Sequence, residues 1–275
     1  MSNTMSLDTI KNNKINVETY GSGDRKVVAL HCALGRAASW KQYGAMFDSE
    51  ITLKAPDWPG HGKSAPWQDT GLMRMTARDI VAELVGDEPV DLVGHSYGGM
   101  VALEYAARNP EKVRSLTLIE PIYLAVAGED DRPVLDDYLA QMQPHFDALA
   151  EGRNKEAAEI FMDIWGGGTR LADLPEPAQV GLSHQIPVVD ACKPGDETGV
   201  EERDTLARLS SLDMPMTMIY GEKTLPVVKT VMTGLKARMP HAALVEVADA
   251  AHMAPMTHSK EISEQLQALW ASDVA

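Results

Sequence analysis

Short apolar runs recur along the chain, and stretches with helical spacing of apolar residues separate them. The runs are rich in Leu and β-branched residues without polar alternation, which is typical of strands buried on both faces. The predicted strands are Lys26–His31, Ile51–Asp57, Val90–His95, Val113–Glu120, Met216–Gly221 and Ala243–Asp249. The predicted helices are Met73–Val85, Met100–Arg108, Pro226–Arg238 and Ser259–Ala271. This alternation predicts an α/β fold with a mostly parallel central sheet that is flanked by helices.

One long stretch, residues 122–212, interrupts the alternation. It contains no convincing strand pattern, and glycine and proline clusters divide it into helical segments. These predicted helices are Pro133–Leu149, Lys155–Trp165, Pro177–Val189 and Val200–Leu209. We interpret 122–212 as a helical insertion at the carboxyl edge of the sheet, with residues 1–121 and 213–275 forming the α/β core.

Composition narrows the partners that the chain can have. The 275 residues carry a formal charge of −15, which argues against nucleic acid and anionic membranes because their phosphates would be repelled. Cys32 and Cys192 lie far apart in sequence, so a disulfide framework is not expected. The polar segment Met1 to Lys14 lacks an apolar signal core, and no apolar run approaches the ~20 residues that span a bilayer. The prediction is a cytoplasmic protein that binds a small-molecule substrate, with homo-oligomer formation left open.

The most informative motif is Gly-x-Ser-x-Gly at Gly94–Gly98. A predicted strand enters it and a predicted helix follows at once, which is the setting of a nucleophile elbow. There the serine adopts a strained backbone conformation, and the two glycines leave room for it. The alternative interpretation, a Gly-rich structural turn, does not account for the flanking elements.

Four segments in order resemble the α/β-hydrolase family, and the likeness extends from about Ile15 to Trp270. His31–Gly35 resembles the family's His-Gly-x-x-Gly loop after the third strand, and Asp57–Ser64 its Asp-x-Pro-Gly-His-Gly-x-Ser turn. Gly94–Gly98 matches the elbow, and Ala248–Pro255 resembles the loop that carries the catalytic histidine. In such proteins a helical insertion forms a cap over the active site.

The resemblance implies a role for each matched residue. Ser96 is the candidate nucleophile, and because a hydroxyl is a poor nucleophile at neutral pH, it needs a general base. His252 is the candidate base, since imidazole can both take and return a proton. The backbone N–H groups of Ala33 and Tyr97 are the candidate oxyanion hole. Cys32 stands where the family has Gly, so we expect strain there if that position needs a positive φ.

The acid of the triad is missing from its common position. The family often places an Asp in a Gly-x-x-Asp pattern after the seventh strand, but this chain has Thr224 there, which lacks a carboxylate. Glu120 is the preferred substitute because it closes the strand predicted beside the nucleophile's strand. Asp249 or Glu222, or no charged acid at all, are the alternatives, and Glu120 could instead anchor the insertion through a salt bridge.

The leading function is hydrolysis of a small, largely apolar ester, lactone or thioester through an acyl-enzyme, without metal or cofactor. Ser96 excludes the haloalkane dehalogenases and epoxide hydrolases of this fold, which need a carboxylate nucleophile. The alternatives are a C–C bond hydrolase with the same triad, a haloperoxidase-like side activity, and a non-catalytic ligand receptor. Arg36 and His184 are candidate substrate contacts, although we prefer to interpret both as ordinary solvated residues.

Overall fold

The fold is built on one twisted sheet, seen in a computed structural model that describes residues 3–10, 13–68, 73–192 and 199–272. Within these ranges the strands are β1 Asn3–Ile10, β2 Asn13–Tyr20, β3 Arg25–Leu30, β4 Ile51–Pro56, β5 Val90–His95, β6 Val113–Ile119, β7 Met216–Gly221 and β8 Ala243–Val247. Their spatial order is β1-β2-β4-β3-β5-β6-β7-β8. β1 and β2 pair antiparallel, as do β2 and β4, whereas the strands from β4 to β8 in that order are parallel. The predicted mostly parallel sheet is confirmed.

Helices cover both faces of this sheet. In the described part of the chain they are α1 Lys41–Met46, α2 Arg74–Val85, α3 Tyr97–Arg108, α4 Ala125–Asp130, α5 Arg132–Ala150, α6 Asn154–Trp165, α7 Glu176–Gln185, α8 Val188–Cys192, α9 Val200–Arg208, α10 Pro226–Arg238, α11 Ala254–Thr257 and α12 Ser259–Ser272. α2, α3 and α10 pack on one face and α1 and α12 on the other. Val27 and Val28 of β3 belong to opposite layers, as the alternation of side chains along a strand requires.

Two of the differences from the sequence prediction have clear physical reasons. The β1–β2 hairpin was not predicted, because its polar composition hides it, and polar residues are typical of an edge strand. The helix predicted for Pro177–Val189 is broken into α7 and α8 around Pro187, which lacks an N–H and disfavours helix at the residue before it.

Helices α4 to α9 lie between β6 and β7 in the chain and pack partly on the α2–α3 side of the core through residues such as Leu135, Met142 and Trp165. We call these six helices the cap. Positions 193–198 of the predicted insertion, and 1–2 and 11–12 of the N-terminal segment, lie outside the described residues. Among the helices described, none is both long and apolar enough to cross a membrane.

Candidate active site

Ser96 occupies the sharp turn between β5 and α3. Its backbone has φ 57° and ψ −117°, a conformation that non-glycine residues rarely adopt. A Cβ at Gly94 would clash with the Gly98 carbonyl, and one at Gly98 would clash with the Leu30 carbonyl. The strained turn is held because the Ser96 N–H donates to the Ile119 carbonyl of the neighbouring strand at 2.9 Å. The turn therefore fixes the hydroxyl at the amino end of α3, where negative charge is stabilised.

The His252 ring lies beside this hydroxyl. It follows β8 in the chain, and its Nε2 is 2.9 Å from the Ser96 Oγ. Both side chains are buried. The indole of Trp165, at the end of α6, packs on the imidazole with a centroid distance of 4.5 Å. The cap thus contacts the histidine directly, and the Ser96–His252 pair is in position for proton transfer.

Glu120 lies on the other side of the imidazole. Its Oε2 is 2.6 Å from His252 Nδ1, and its backbone has φ 45° immediately after β6. The carboxylate is fully buried and also accepts hydrogen bonds from the Gly221 N–H and the Thr224 hydroxyl, both at 2.7 Å. Burial raises the pKa of Glu120, but the His252 hydrogen bond and charge, with Gly221 and Thr224, lower that pKa below its usual value. The site therefore favours an ionised Glu120.

The carboxylates of Asp249 and Glu222, the other candidate acids, bind other partners. Asp249 is exposed and paired with Lys223 at 2.8 Å, and the Glu222 carboxylate accepts the Asp249 N–H at 2.9 Å. The hydroxyl of Thr224, at the family's common acid position, donates to the Glu120 carboxylate. Of the candidates, the structure brings Glu120 alone into hydrogen-bond contact with His252 among the described residues.

Ala33 and Tyr97, which carry the candidate oxyanion N–H groups, line the same cavity as Ser96. Ala33 lies in the loop after β3, and Tyr97 is the first residue of α3, where an N–H has no intrahelical acceptor. The positive φ in the Ala33 loop falls on Leu34 (60°) and not on Cys32, so the strain expected at Cys32 is displaced by two residues. Burial raises the pKa of the Cys32 thiol to about 12, which disfavours a reactive thiolate.

Three buried histidines, His31, His61 and His95, hydrogen-bond to the loops around the site. No local sequence signal distinguishes this role from that of an ordinary core histidine. His61 Nε2 accepts the Leu34 N–H at 3.1 Å, and His95 Nε2 donates to the His252 carbonyl at 2.8 Å. His31 Nε2 accepts the Trp58 N–H at 3.2 Å. Burial lowers the pKa of His61 to about 4 and that of His95 to about 3, and lowers the pKa of His31 well below its usual value. At neutral pH these rings are uncharged supports.

A cavity of about 1480 Å³ opens at Ser96 and His252 and extends between the core and the cap. Much of its wall is apolar, including Leu124, Leu135, Met142, Phe146, Phe161 and Trp165. Arg36 lines it near the Ala33 loop, whereas His184 is exposed on α7 and does not line it. Within the described ranges no group of three or more His, Cys, Asp or Glu side chains is arranged to hold a metal ion.

Comparison with known proteins gives a family and relatives. A family model described as alpha/beta hydrolase fold matches residues 27–259. A pimeloyl-[acyl-carrier protein] methyl ester esterase of Proteus mirabilis is 29% identical over 260 residues, covering 92% of this chain and 95% of that protein. The lipase LipV of Mycobacterium tuberculosis is 36% identical over 154 residues, covering 54% of this chain. That match spans 57% of the lipase, a little more than half its length.

Solved structures share the fold at low identity. The carboxylesterase CesB of Bacillus subtilis superposes with a TM-score of 0.69 at 19% identity, covering 99% of this chain and 92% of its own. A mutant haloalkane dehalogenase of Agrobacterium tumefaciens superposes with a TM-score of 0.73 at 17% identity, covering 97% and 96%. Esterase and dehalogenase chemistry thus occur on the same fold, and the reaction has to be argued from the site.

Proposed function

Because the chain belongs to the alpha/beta-hydrolase family, we propose that it hydrolyses esters through a triad of Ser96, His252 and Glu120. The ester-hydrolase class rests on the family match and on esterase and lipase relatives. The observation that supports the triad is the continuous hydrogen-bond chain from the Ser96 hydroxyl through both imidazole nitrogens to a buried carboxylate. Each member has the partner that its role requires.

Acylation begins when the Ser96 oxygen attacks the ester carbonyl carbon while His252 Nε2 takes the hydroxyl proton. Glu120 accepts the hydrogen bond from His252 Nδ1–H, which fixes the tautomer and stabilises the imidazolium that forms. The carbonyl oxygen becomes an oxyanion, and the N–H groups of Ala33 and Tyr97 are the proposed donors to it.

The tetrahedral intermediate collapses when the bond from carbon to the alcohol oxygen breaks. His252 returns the proton to that oxygen, and the alcohol leaves an acyl group on Ser96. A water molecule then attacks the acyl carbon, with its proton passing to His252 Nε2. When the bond from the acyl carbon to the Ser96 oxygen breaks, His252 gives that proton to the Ser96 oxygen, which releases the carboxylic acid and restores the serine hydroxyl.

The cavity suggests what the acyl group is. Its wall beside Ser96 is formed largely by aliphatic, aromatic and thioether side chains, which favours an apolar group. Its volume of about 1480 Å³ exceeds the ~300–1,000 Å³ of common ligand pockets. We therefore extend the sequence-based expectation of a small substrate to acyl groups that continue well beyond the carbonyl.

A panel of p-nitrophenyl esters and lactones, run on the wild-type protein and on Ser96→Ala, tests the proposal. We expect turnover by the wild type and a loss of at least ~10³-fold in Ser96→Ala, because the nucleophile is removed. Equal turnover by both proteins would place the chemistry elsewhere. Failure of every activated ester to acylate the wild type would favour the ligand-receptor alternative.

A further inference from the structure

Trp165 of the cap contacts the imidazole of His252, and from this contact we propose a role for Trp165 in the reaction. Trp165 is a positioning residue that holds the His252 ring in the orientation required for proton transfer with Ser96. This inference rests on the proposed function, because it takes His252 as the general base of ester cleavage. It makes the cap part of the catalytic geometry and not only a wall of the cavity.

The hydrogen bonds of His252 restrain its ring only in part. Nδ1 is 2.6 Å from the Glu120 carboxylate, and Nε2 is 2.9 Å from the Ser96 hydroxyl. These bonds fix the positions of the two nitrogens, but they resist poorly a tilt of the ring about the line that joins them. A tilt misaligns the ring nitrogens with their partners, and hydrogen bonds weaken steeply with such misalignment. The orientation of the ring therefore depends also on what packs against it.

Two rings pack against the imidazole within the described residues, one from the core and one from the cap. His95, the last residue of β5, lies 5.0 Å from it between ring centroids, and Trp165, the last residue of α6, lies 4.5 Å from it. Both distances are typical of interacting rings, whose centroids lie about 4.5–7 Å apart. The indole is the nearer and the larger of the two rings. It is therefore the main packing restraint on the imidazole that the cap supplies.

The indole is itself held in place. Tyr138 of α5 meets it nearly edge to face, with a centroid distance of 5.7 Å and an interplanar angle of 78°. Phe161, one turn earlier on α6, lies 6.5 Å from it between centroids. The Trp165 side chain is buried, and a buried ring that is flanked by other rings has little freedom to change rotamer. Such a locked side chain is the kind of support that keeps a catalytic group in its productive geometry.

The backbone after Trp165 brings α6 close to the loop that carries His252. Gly167 and Gly168 have φ values of 60° and 93°, a region that glycine enters at little cost. A Cβ at Gly167 would lie 3.3 Å from the Cβ of Ala251, the residue before His252. The end of α6 therefore approaches the histidine loop both through the indole and through the backbone at Gly167.

Trp165 also lines the cavity, so a positioning role has to be separated from a wall contact. A wall contact binds the acyl chain, and its loss raises KM more for long chains than for short ones. A positioning contact acts on the proton transfer of Ser96, which is the same for every ester. Its loss therefore lowers kcat whatever the length of the acyl chain.

The test compares Trp165→Met with the wild type on p-nitrophenyl acetate and on a series of longer alkanoate esters. Methionine fills irregular apolar space but has no ring. We expect kcat to fall roughly 10- to 100-fold at every length, because a small misplacement of a catalytic group is that costly. The KM for the acetate should stay near its wild-type value. A loss confined to KM that grows with chain length would assign Trp165 to the cavity wall and overturn the proposal.

Two further variants locate the effect. Phe161→Met is the matched control, because Phe161 belongs to the same helix and cavity wall and its ring contacts are with His145 and Trp165. It should raise KM for the longer esters and keep the wild-type kcat. Trp165→Phe should retain more of the kcat than Trp165→Met, since an aromatic ring remains beside the imidazole. Equal losses of kcat in Phe161→Met and Trp165→Met would assign the effect to cap packing as a whole and reject the positioning role.

Motion of the His252 ring is measurable without turnover. Its carbon-bound proton at Cε1 exchanges with water only slowly, so NMR relaxation dispersion at this group reports ring motion on the microsecond-to-millisecond timescale. We expect a flat dispersion profile in the wild type and in Phe161→Met, and exchange in Trp165→Met. Exchange of this ring in the wild type would by itself overturn the proposal, whether or not the variants fold.

The same measurements separate this inference from the proposed function. A static ring and a wild-type kcat in Trp165→Met, with hydrolysis lost in Ser96→Ala, would overturn the positioning role and leave the triad standing. Ring exchange in Trp165→Met, together with a wild type that hydrolyses no ester, would support the hold of Trp165 on His252 and reject the triad.

Discussion

The end of the cavity at Ser96 and the wall at Glu202 are held together by different kinds of interaction. At the end that holds Ser96, His252 and Glu120, each side chain is hydrogen-bonded to the next, and uncharged histidines support the surrounding loops. In the wall at Glu202, arginine–carboxylate pairs join α2, α3 and α9, and within the described residues Glu202 and Tyr97 each have a buried polar atom without a hydrogen-bond partner.

The difference shows which interactions are complete before a ligand arrives. Groups that act on a transition state are most effective when they are already oriented, since no reorganisation is then needed during the reaction. The ion pairs around Glu202 join helices of the cap and the core, and they do not contact Ser96 or His252. The following predictions test how far the reactive end depends on interactions that are complete in advance.

Glu120→Gln should have the largest effect, because it breaks the reactive end at its buried charge. We expect kcat on the best ester to fall about 10⁴-fold, since an amide cannot stabilise the imidazolium by charge. Glu222→Gln is the matched control at the same edge of the sheet and should keep wild-type turnover. Initial rates at saturating ester measure kcat for both variants. A Glu120→Gln protein with wild-type kcat would show that another residue is the acid.

Thr224→Asp should repair that break in part. The Thr224 hydroxyl is 2.7 Å from the Glu120 carboxylate, so an Asp at this position brings a charge close to the imidazole. In the Glu120→Gln background we expect a gain of about 10²-fold in kcat, which is half the logarithm of the loss. No gain over the single variant would show that the site accepts the acid from Glu120's strand alone.

Acid should weaken the histidine-supported end. The pKa of His61 is lowered to about 4 and that of His95 to about 3, while the unfolded chain keeps values near 6.5. Between these limits the unfolded state binds more protons, so stability falls as pH drops from ~6.5 toward 4, by about 1.4 kcal/mol per pH unit for each histidine.

Denaturant unfolding at several pH values measures this slope. His95→Gln should reduce the slope, whereas substitution of the exposed His241 should leave it unchanged. Identical slopes in wild type and His95→Gln would mean that His95 is not held neutral by the fold.

Thr224→Val should give the smallest effect, because it removes one of several hydrogen bonds to Glu120. We expect a loss of roughly 10-fold in kcat, in keeping with a hydrogen bond to a charged group. Thr117→Val is the control, since the Thr117 hydroxyl is buried without a partner among the described residues. A loss as large in Thr117→Val as in Thr224→Val would assign the effect to packing.

The sequence predicts the reactive end well because its backbone geometry requires particular residues at particular positions. The turn at Ser96 demands glycine at Gly94 and Gly98, and parallel strands deliver Ser96, Glu120 and His252 to one edge of the sheet. Glu120 is predicted as the acid because position 224 lacks a carboxylate and because its strand is expected beside the nucleophile's strand. The structure confirms this order of strands, since β6 pairs with β5 and β7.

The region around Glu202 has no such local signal in the sequence. In the sequence Glu202 is one of two adjacent glutamates on a polar helix, and only the packing of α9 on α3 buries it while Glu201 stays partly exposed. The strain at Leu34 and the break at Pro187 were likewise missed. Each depends on contacts or turn geometry that residue spacing does not encode.

Labelling with a serine-directed fluorophosphonate, followed by peptide mass spectrometry, tests the central claim most directly. The account predicts one stoichiometric adduct on Ser96 in the wild type and none in Ser96→Ala, with slow labelling in Glu120→Gln. An adduct on another residue, or an unlabelled wild type that still hydrolyses esters, would contradict it.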